Sequence, residues 1–369
     1  MKKSITEFSD SLLAIVGPTA SGKTDYALRL AKDRNAELIS VDSRQVYKKL
    51  SIGTAKPNGT WMADFGWRIS DLRNKNTGEN KTTNSSYRTS DSSSIDTTNP
   101  QSEIRNPKLF VVDSVPYHLL DIWDPAEPFT AADFVRLAMQ AIHDIQSRGK
   151  EPILVGGTGL YLKALQEGLA PLPPADQALR QELKLCAEKE GRESLHRELL
   201  KIDSEAAEAI PANNIHRVIR ALEVYKLTGK PISQWHREHQ KRREEGGMER
   251  QGEKSPMSPV SRKSSQSPFE ISAVGLDVPV EQLHQRIAAR CHWMWDNGLI
   301  EETQSLLDQG YSGNCPALSG LGYPRILSYL RKEFSREEAI RLMIQDTRQY
   351  AKRQRTWFRH QLEVKWKTL

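Results

Sequence analysis

Nowhere does this sequence carry an apolar run long enough to cross a bilayer; stretches such as "LLAIV" (12–16) have the length of a strand. The opening "MKKSITEFSD" has two lysines but no apolar core of a signal peptide behind them. Cysteine is scarce. Cys186, Cys291 and Cys315 form no CxxC pair and have no histidine at ligand spacing, which argues against a disulfide framework or a zinc site. Reduced thiols and a cytoplasmic location are expected. Strong net charge is also lacking, at +6 over 369 residues, but the charge is unevenly placed. From Arg331 onward eleven Lys/Arg stand against five Asp/Glu, an excess equal to that of the whole chain, so this end is where a polyanion is sought.

Two stretches lack the apolar side chains that would repay the entropy of ordering. Residues 59–109 include "NKNTGENKTTNSSYRTSDSSSIDTTNPQSEIRNP", and residues 240–268 read "QKRREEGGMERQGEKSPMSPVSRKSSQSP". Both are expected to be disordered surface insertions. The rest alternates short apolar runs, "LLAIV", "ELISV" (37–41), "PILVG" (152–156) and "ISAVGLDV" (271–278), with helical patterns, as strands buried on both faces of a parallel sheet do. After the prolines of "GLAPLPPAD" (168–176) the patterns are helical only, which suggests a helical insertion domain over 170–240. The expected core is therefore an α/β, P-loop NTPase-like parallel sheet formed by 1–169 and 241–369, with a helical C-terminal region.

"GPTASGKT" (17–24) fits G-x-x-x-x-G-K-[ST] and lies between an apolar strand and an amphipathic helix. In the loop Gly17, Pro18, Thr19, Ala20, Ser21 and Gly22, every residue but the proline offers a backbone amide to phosphate, while Lys23 offers a point charge and Thr24 a hydroxyl for Mg²⁺. Asp42 ends the second strand, where it could act as a base, bind Mg²⁺ or merely cap a turn. A rival carboxylate, Asp113, ends "KLFVVD" in the manner of a Walker B strand, and Asp121 is a weaker candidate. The turn "GGTG" (156–159) follows a strand without matching a dinucleotide fingerprint, and lets backbone approach a ligand. Arg217 and Arg220, one helical turn apart, could clamp a diphosphate or simply form a solvated basic face. Arg348, Lys352, Arg355 and Arg359 recur at intervals of four, three and four, a stripe suited to RNA phosphates. Trp357 and Phe358 read most simply as core, though an aromatic beside arginines can also stack on a base.

Taken in order, "GPTASGKT", "ELISVDSRQVYKKLSIGTAKP", "FTAADF", "ILVGGTGLYLKAL", "RALEVYKLTGKP" and "TRQYAKRQRTWFR" resemble the bacterial tRNA dimethylallyltransferases. That resemblance implies transfer of a dimethylallyl group from dimethylallyl diphosphate to the exocyclic amine of the adenosine 3′ to the anticodon. Mg²⁺ as cofactor, a monomer and no membrane partner are expected alongside it. Asp42 matches the family's general base, with Lys23 and Thr24 at the leaving group, and Thr19 to Thr24 match the diphosphate loop. An arginine of the Arg217/Arg220 pair is expected to join them. Asp42, Ser43, Arg44, Gln45, Thr158, Arg180, His216, Arg217, Arg220, Gly322, Arg325, Lys352, Arg353, Arg355 and Arg359 match positions that contact tRNA, and the helical insertion matches the domain that grips the anticodon stem-loop. A transferase acting on free adenine nucleotides, a P-loop small-molecule kinase and a non-catalytic RNA-binding protein are the alternatives.

Overall fold

The computed structural model describes residues 11–62, 109–248 and 269–368. It divides into two compact units, residues 1–162 with 271–369, and residues 163–270. Most of both low-complexity stretches lies outside the described residues.

The first unit is built on an eight-stranded sheet. Its strands are β1 (Ser11–Val16), β2 (Ala36–Val41), β3 (Thr60–Met62), β4 (Leu109–Val112), β5 (Val115–His118), β6 (Glu151–Gly156), β7 (Glu270–Asp277) and β8 (Val364–Thr368), in the spatial order β3-β4-β5-β2-β6-β1-β7-β8. β6 pairs in parallel with both β1 and β2, and Val16, Gly156 and Val41 face one another across the register. Three strands therefore end at one level, which is where an α/β sheet presents ligand-binding loops. The continuous burial of β2 reflects cover on both faces. One buried face gathers Ile15, Leu38, Tyr117 and Ile153 with Ala27 and Leu28 of α1 (Lys23–Arg34).

The other edge corrects the Walker B reading. β4 and β5 form an antiparallel hairpin whose turn residues, Asp113 and Ser114, have φ of 48° and 67°. Such a primed turn suits a tight hairpin, and it puts Asp113 on an edge turn instead of at the end of a parallel strand. Asp121 is spent as well, 2.5 Å from the buried Lys56 ammonium. β2 buries a charge, Glu37, which accepts from Arg148, Lys150 and His118. Burial alone would raise its pKa, but these three donors overcome that and hold it well below the usual carboxylate range.

Helices α2 (Ala131–Ser147) and α3 (Gly159–Glu167) flank β6 in the chain. The C-terminal helices α9 (Val280–Asp296), α10 (Leu299–Asp308), α11 (Tyr323–Leu330) and α12 (Arg336–Gln361) share a core that includes Ile287, Cys291, Trp295, Tyr323 and Met343. The C-terminal end is not wholly helical: β8 follows α12 and pairs in parallel with β7, Ala273 opposite Val364.

The second unit comprises α4 (Gln177–Glu190), α5 (Arg192–Ile202), α6 (Ser204–Ala209), α7 (Ile215–Thr228) and α8 (Ile232–Met248), packed around Leu183, Leu195, Leu199, Val218 and Leu222. α7 stops at Gly229, which takes the left-handed conformation (φ 68°) that glycine tolerates. Both expected boundaries of the insertion shift. The proline segment falls in the unit as expected, with Arg220 binding the carbonyl of Pro173 at 2.8 Å, but the unit starts earlier, at Lys163, and Glu167 is tied to α8 by His239 and Arg243. Residue 240 is no boundary either, since α8 continues as helix to Met248.

Candidate active site

The loop after β1 closes through a turn from Ser21 N–H to the Pro18 carbonyl, and Gly22 takes a left-handed φ of 84° before α1 starts at Lys23. Without a Cβ it lets the chain swing from strand to helix so that the helix N-terminus faces the loop. Lys23 Nζ donates to the Pro18 carbonyl at 3.1 Å. Burial lowers its pKa to about 8, partly opposed by the charge of Asp42 and reinforced by that of Arg290.

Arg290 was not anticipated from the sequence. Its Nη2 donates to Thr19 Oγ1 at 2.7 Å, and burial lowers its pKa. Its Nε and the Ser21 hydroxyl are both buried without a hydrogen-bond partner, so the loop holds polar capacity that an anionic ligand would use. The available signal was a charge on an apolar stripe: Leu283, Ile287, Cys291 and Met294 of α9 are buried, and Arg290 shares their side of the helix. Gln354 was also missed. It is buried on α12 between Ala351 and Phe358 and accepts from Thr19 N–H at 2.8 Å.

At the end of β2, on the far side of β6 from β1, Asp42 Oδ1 accepts from Arg44 N–H at 2.8 Å and Gln45 N–H at 3.2 Å. The carboxylate thus caps its own turn, one of the roles open to it in sequence, while its charge reaches Lys23 and Arg290. Thr158, after β6, accepts from Ser43 N–H at 3.2 Å. Burial and the Asp42 charge raise the Tyr350 phenol to about 12, so it stays neutral next to Thr158. Gln45 donates to the carbonyls of Thr54 and Ala55, and Arg44 to Pro316 and Ser319. Glu302 holds the following loop by accepting from the amides of Ser51, Ile52 and Gly53 and from Tyr323.

Thus Gly17 to Thr24, Asp42 to Gln45, Thr158, Arg290 and Gln354 come together on one unit. Arg180, His216, Arg217 and Arg220 lie in the other, and there Arg180 and Arg220 are not free cations. Both bind the fully buried Glu223, Arg180 at 2.9 and 3.0 Å and Arg220 at 2.6 Å, while His216 and Arg217 are exposed. On the loop's own unit, the arginine that reaches the loop through Thr19 is Arg290.

The basic stripe of α12 is likewise divided. Arg355 and Arg359 bind the two oxygens of Asp277 at 3.0 and 3.2 Å, fastening the helix to the end of β7. Lys352 and Arg353 are exposed, and Arg325 pairs with Asp346 at 2.8 Å. Gly322 precedes α11 with φ 92°. Phe358 is buried as expected, and Trp357 packs against Gly159.

Among the described residues no group of three or more His, Cys, Asp or Glu could hold a metal. A hydroxyl oxygen on Thr24 still fits Mg²⁺, which is held by one or two protein oxygens together with substrate phosphates. No helix among those residues is long and apolar enough to cross a membrane.

Comparison with known proteins agrees with this geometry. The IPP transferase family matches residues 92–361, and an isopentenyl transferase family matches residues 10–69. The chain is 37% identical over 355 residues to a tRNA dimethylallyltransferase of Geobacter sulfurreducens, covering 96% of this chain and 91% of the relative. It is 36% identical over 359 residues to one from Geobacillus thermodenitrificans, covering 97% and 90%. The crystal structure of the full-length tRNA isopentenylpyrophosphate transferase of Bacillus halodurans is similar with a TM-score of 0.56 at 34% identity, over 98% of this chain and 90% of that one. With family models and relatives matched along nearly its whole length, the chain belongs to the IPP transferase family, among the tRNA dimethylallyltransferases.

Proposed function

We propose that this protein transfers a dimethylallyl group from dimethylallyl diphosphate to the exocyclic N6 amine of the adenosine 3′ to the anticodon in tRNA, releasing diphosphate. The observation that carries this reading is the common level of Val16, Val41 and Gly156, so that the loop after β1 and Asp42 after β2 open on the same edge of the sheet. In the reaction the allylic C–O bond breaks, its electron pair leaves on diphosphate, and a C–N bond forms to N6. Lys23, Arg290 and the loop amides offset the charge gathering on the leaving oxygen. Thr24 would hold Mg²⁺ through its hydroxyl, which would supply charge stabilisation of the same kind. An adenine amine is a weak nucleophile because its lone pair is delocalised into the ring. Asp42 accepts its proton as the new bond forms. The base must leave its stack to be reached, which is easiest in a single-stranded anticodon loop.

On this reading Lys352 and Arg353 contact RNA phosphates, and the protein works as a cytoplasmic monomer. The test is transfer of a labelled dimethylallyl group, with Mg²⁺, to an unmodified anticodon stem-loop in the presence of AMP, ADP and ATP. Label on the RNA adenosine is expected. Label on nucleotide would make this an enzyme of free adenylates, and folded protein giving no label would return the loop to a kinase.

A further inference from the structure

Gln354 occupies an unusual position for a polar side chain. It lies on the buried side of α12 with Thr347, Ala351 and Phe358 and is only 6% exposed. Both ends of its amide are engaged: Oε1 accepts from Thr19 N–H at 2.8 Å, and Nε2 donates to the Gly157 carbonyl at 2.9 Å. The fit is tight, since a Cβ on Gly157 would come within 2.2 Å of that Nε2. A primary amide carries an acceptor and a donor on one planar group, whereas an apolar side chain of similar volume would leave both backbone groups unmatched.

The two groups it joins lead to the two halves of the reaction. Thr19 belongs to the phosphate loop and is also held by Arg290. Gly157 precedes Thr158, whose N–H donates to Val41 at 3.1 Å and whose hydroxyl accepts from Ser43, the residue after Asp42. Gln354 therefore closes a continuous path of hydrogen bonds and backbone from the loop to the turn of Asp42.

We infer that Gln354 is a positioning residue for the transfer, fixing the separation between the loop that holds the leaving group and the carboxylate that takes the amine proton. The inference rests on the proposed function. One carbon loses its bond to oxygen on the loop side and gains its bond to nitrogen on the side of Asp42, so this separation sets how well the reacting atoms align. Misplacement by about 1 Å is enough to cost roughly a hundredfold in rate.

The experiment compares wild type, Gln354→Ala, Gln354→Glu and Gly157→Ala. It measures kcat and KM for dimethylallyl diphosphate between pH 5.5 and 8, stem-loop affinity and melting temperature. Gln354→Ala is expected to lose roughly ten- to a hundredfold in kcat at every pH with stem-loop affinity unchanged. Gln354→Glu should be worse than Gln354→Ala at pH 8, where a carboxylate faces the Gly157 carbonyl. Relative to wild type it should recover as the pH falls, because the neutral acid can donate to that carbonyl again. Gly157→Ala, which displaces the amide from the other side, should reproduce the kcat loss. Wild-type kcat per folded molecule in Gln354→Ala or Gly157→Ala would overturn the inference, as would a Gln354→Glu profile parallel to that of Gln354→Ala. An active wild type with unaffected variants would remove this inference alone. A wild type that transfers nothing would remove the proposed function with it.

Discussion

Asp42 already holds two amides of its own turn through Oδ1, so replacing it with alanine confounds geometry with charge. Asp42→Asn keeps the acceptor and removes the base. It is expected to lower transfer by about 10²- to 10⁴-fold while stem-loop affinity and melting temperature stay near wild type. An asparagine variant with wild-type turnover would leave Asp42 as a turn residue only. Lys23 gives a second prediction at this scale. With a pKa of about 8 in the free protein, it carries its charge below that pH and loses it above. The kcat/KM for the diphosphate donor should be level up to about pH 7 and fall roughly tenfold per unit beyond pH 8, in proportion to the charged fraction. A flat profile from pH 7 to 9.5 would show that the Lys23 charge does not govern donor binding.

The helix α12 combines attachment and exposure along one stretch of basic residues. Spacing put Arg348, Lys352, Arg355 and Arg359 on one stripe, yet Asp277 claims two of them. The consequence is a division of effects. Lys352→Ala with Arg353→Ala should reduce the salt slope of stem-loop binding by about 2, one for each lost phosphate contact. Arg355→Ala should instead cost about 1–2 kcal/mol of stability by leaving Asp277 poorly paired, read as a lower denaturation midpoint. Equal loss of RNA affinity in both variants, with no change in stability, would restore the undivided stripe. The division could not be seen in the sequence because Asp277 lies more than seventy residues before its partners.

At the scale of the whole molecule, β3 and β4 bracket residues 63–108, and Met62 sits directly opposite Leu109 in an antiparallel register. Two strands ending face to face can be joined by a two-residue turn. Replacing 63–108 with Asn-Gly is expected to leave the melting temperature and stem-loop transfer within about twofold of wild type. A collapse of either would mean that this segment contributes to folding or to the reaction. The second unit keeps its own core and its own buried ion cluster at Glu223. Its two arginines bound there stabilise that unit from within, whatever they also do toward RNA.

Local chemistry made much of this protein legible in advance. The glycine-rich loop motif is contiguous, four of the strands are short, mostly apolar runs, and the helix stop at Gly229 is a matter of backbone conformation, so neighbouring residues suffice to specify them. What only the tertiary structure decided depends on partners far apart in the chain. β8 has the alternating exposure of an edge strand and is recognisable only once β7 lies beside it. Asp113 resembled a strand-end carboxylate until β4 turned back on β5. Arg290 and Gln354 come from helices more than 250 residues beyond the loop they contact, and packing alone brings them to Thr19. The sequence by itself determined the strand, glycine loop and helix start at 11–24, because they need one short segment. That Arg290 and Gln354 meet Thr19 was decided by long-range packing, because each partner lies on a distant helix.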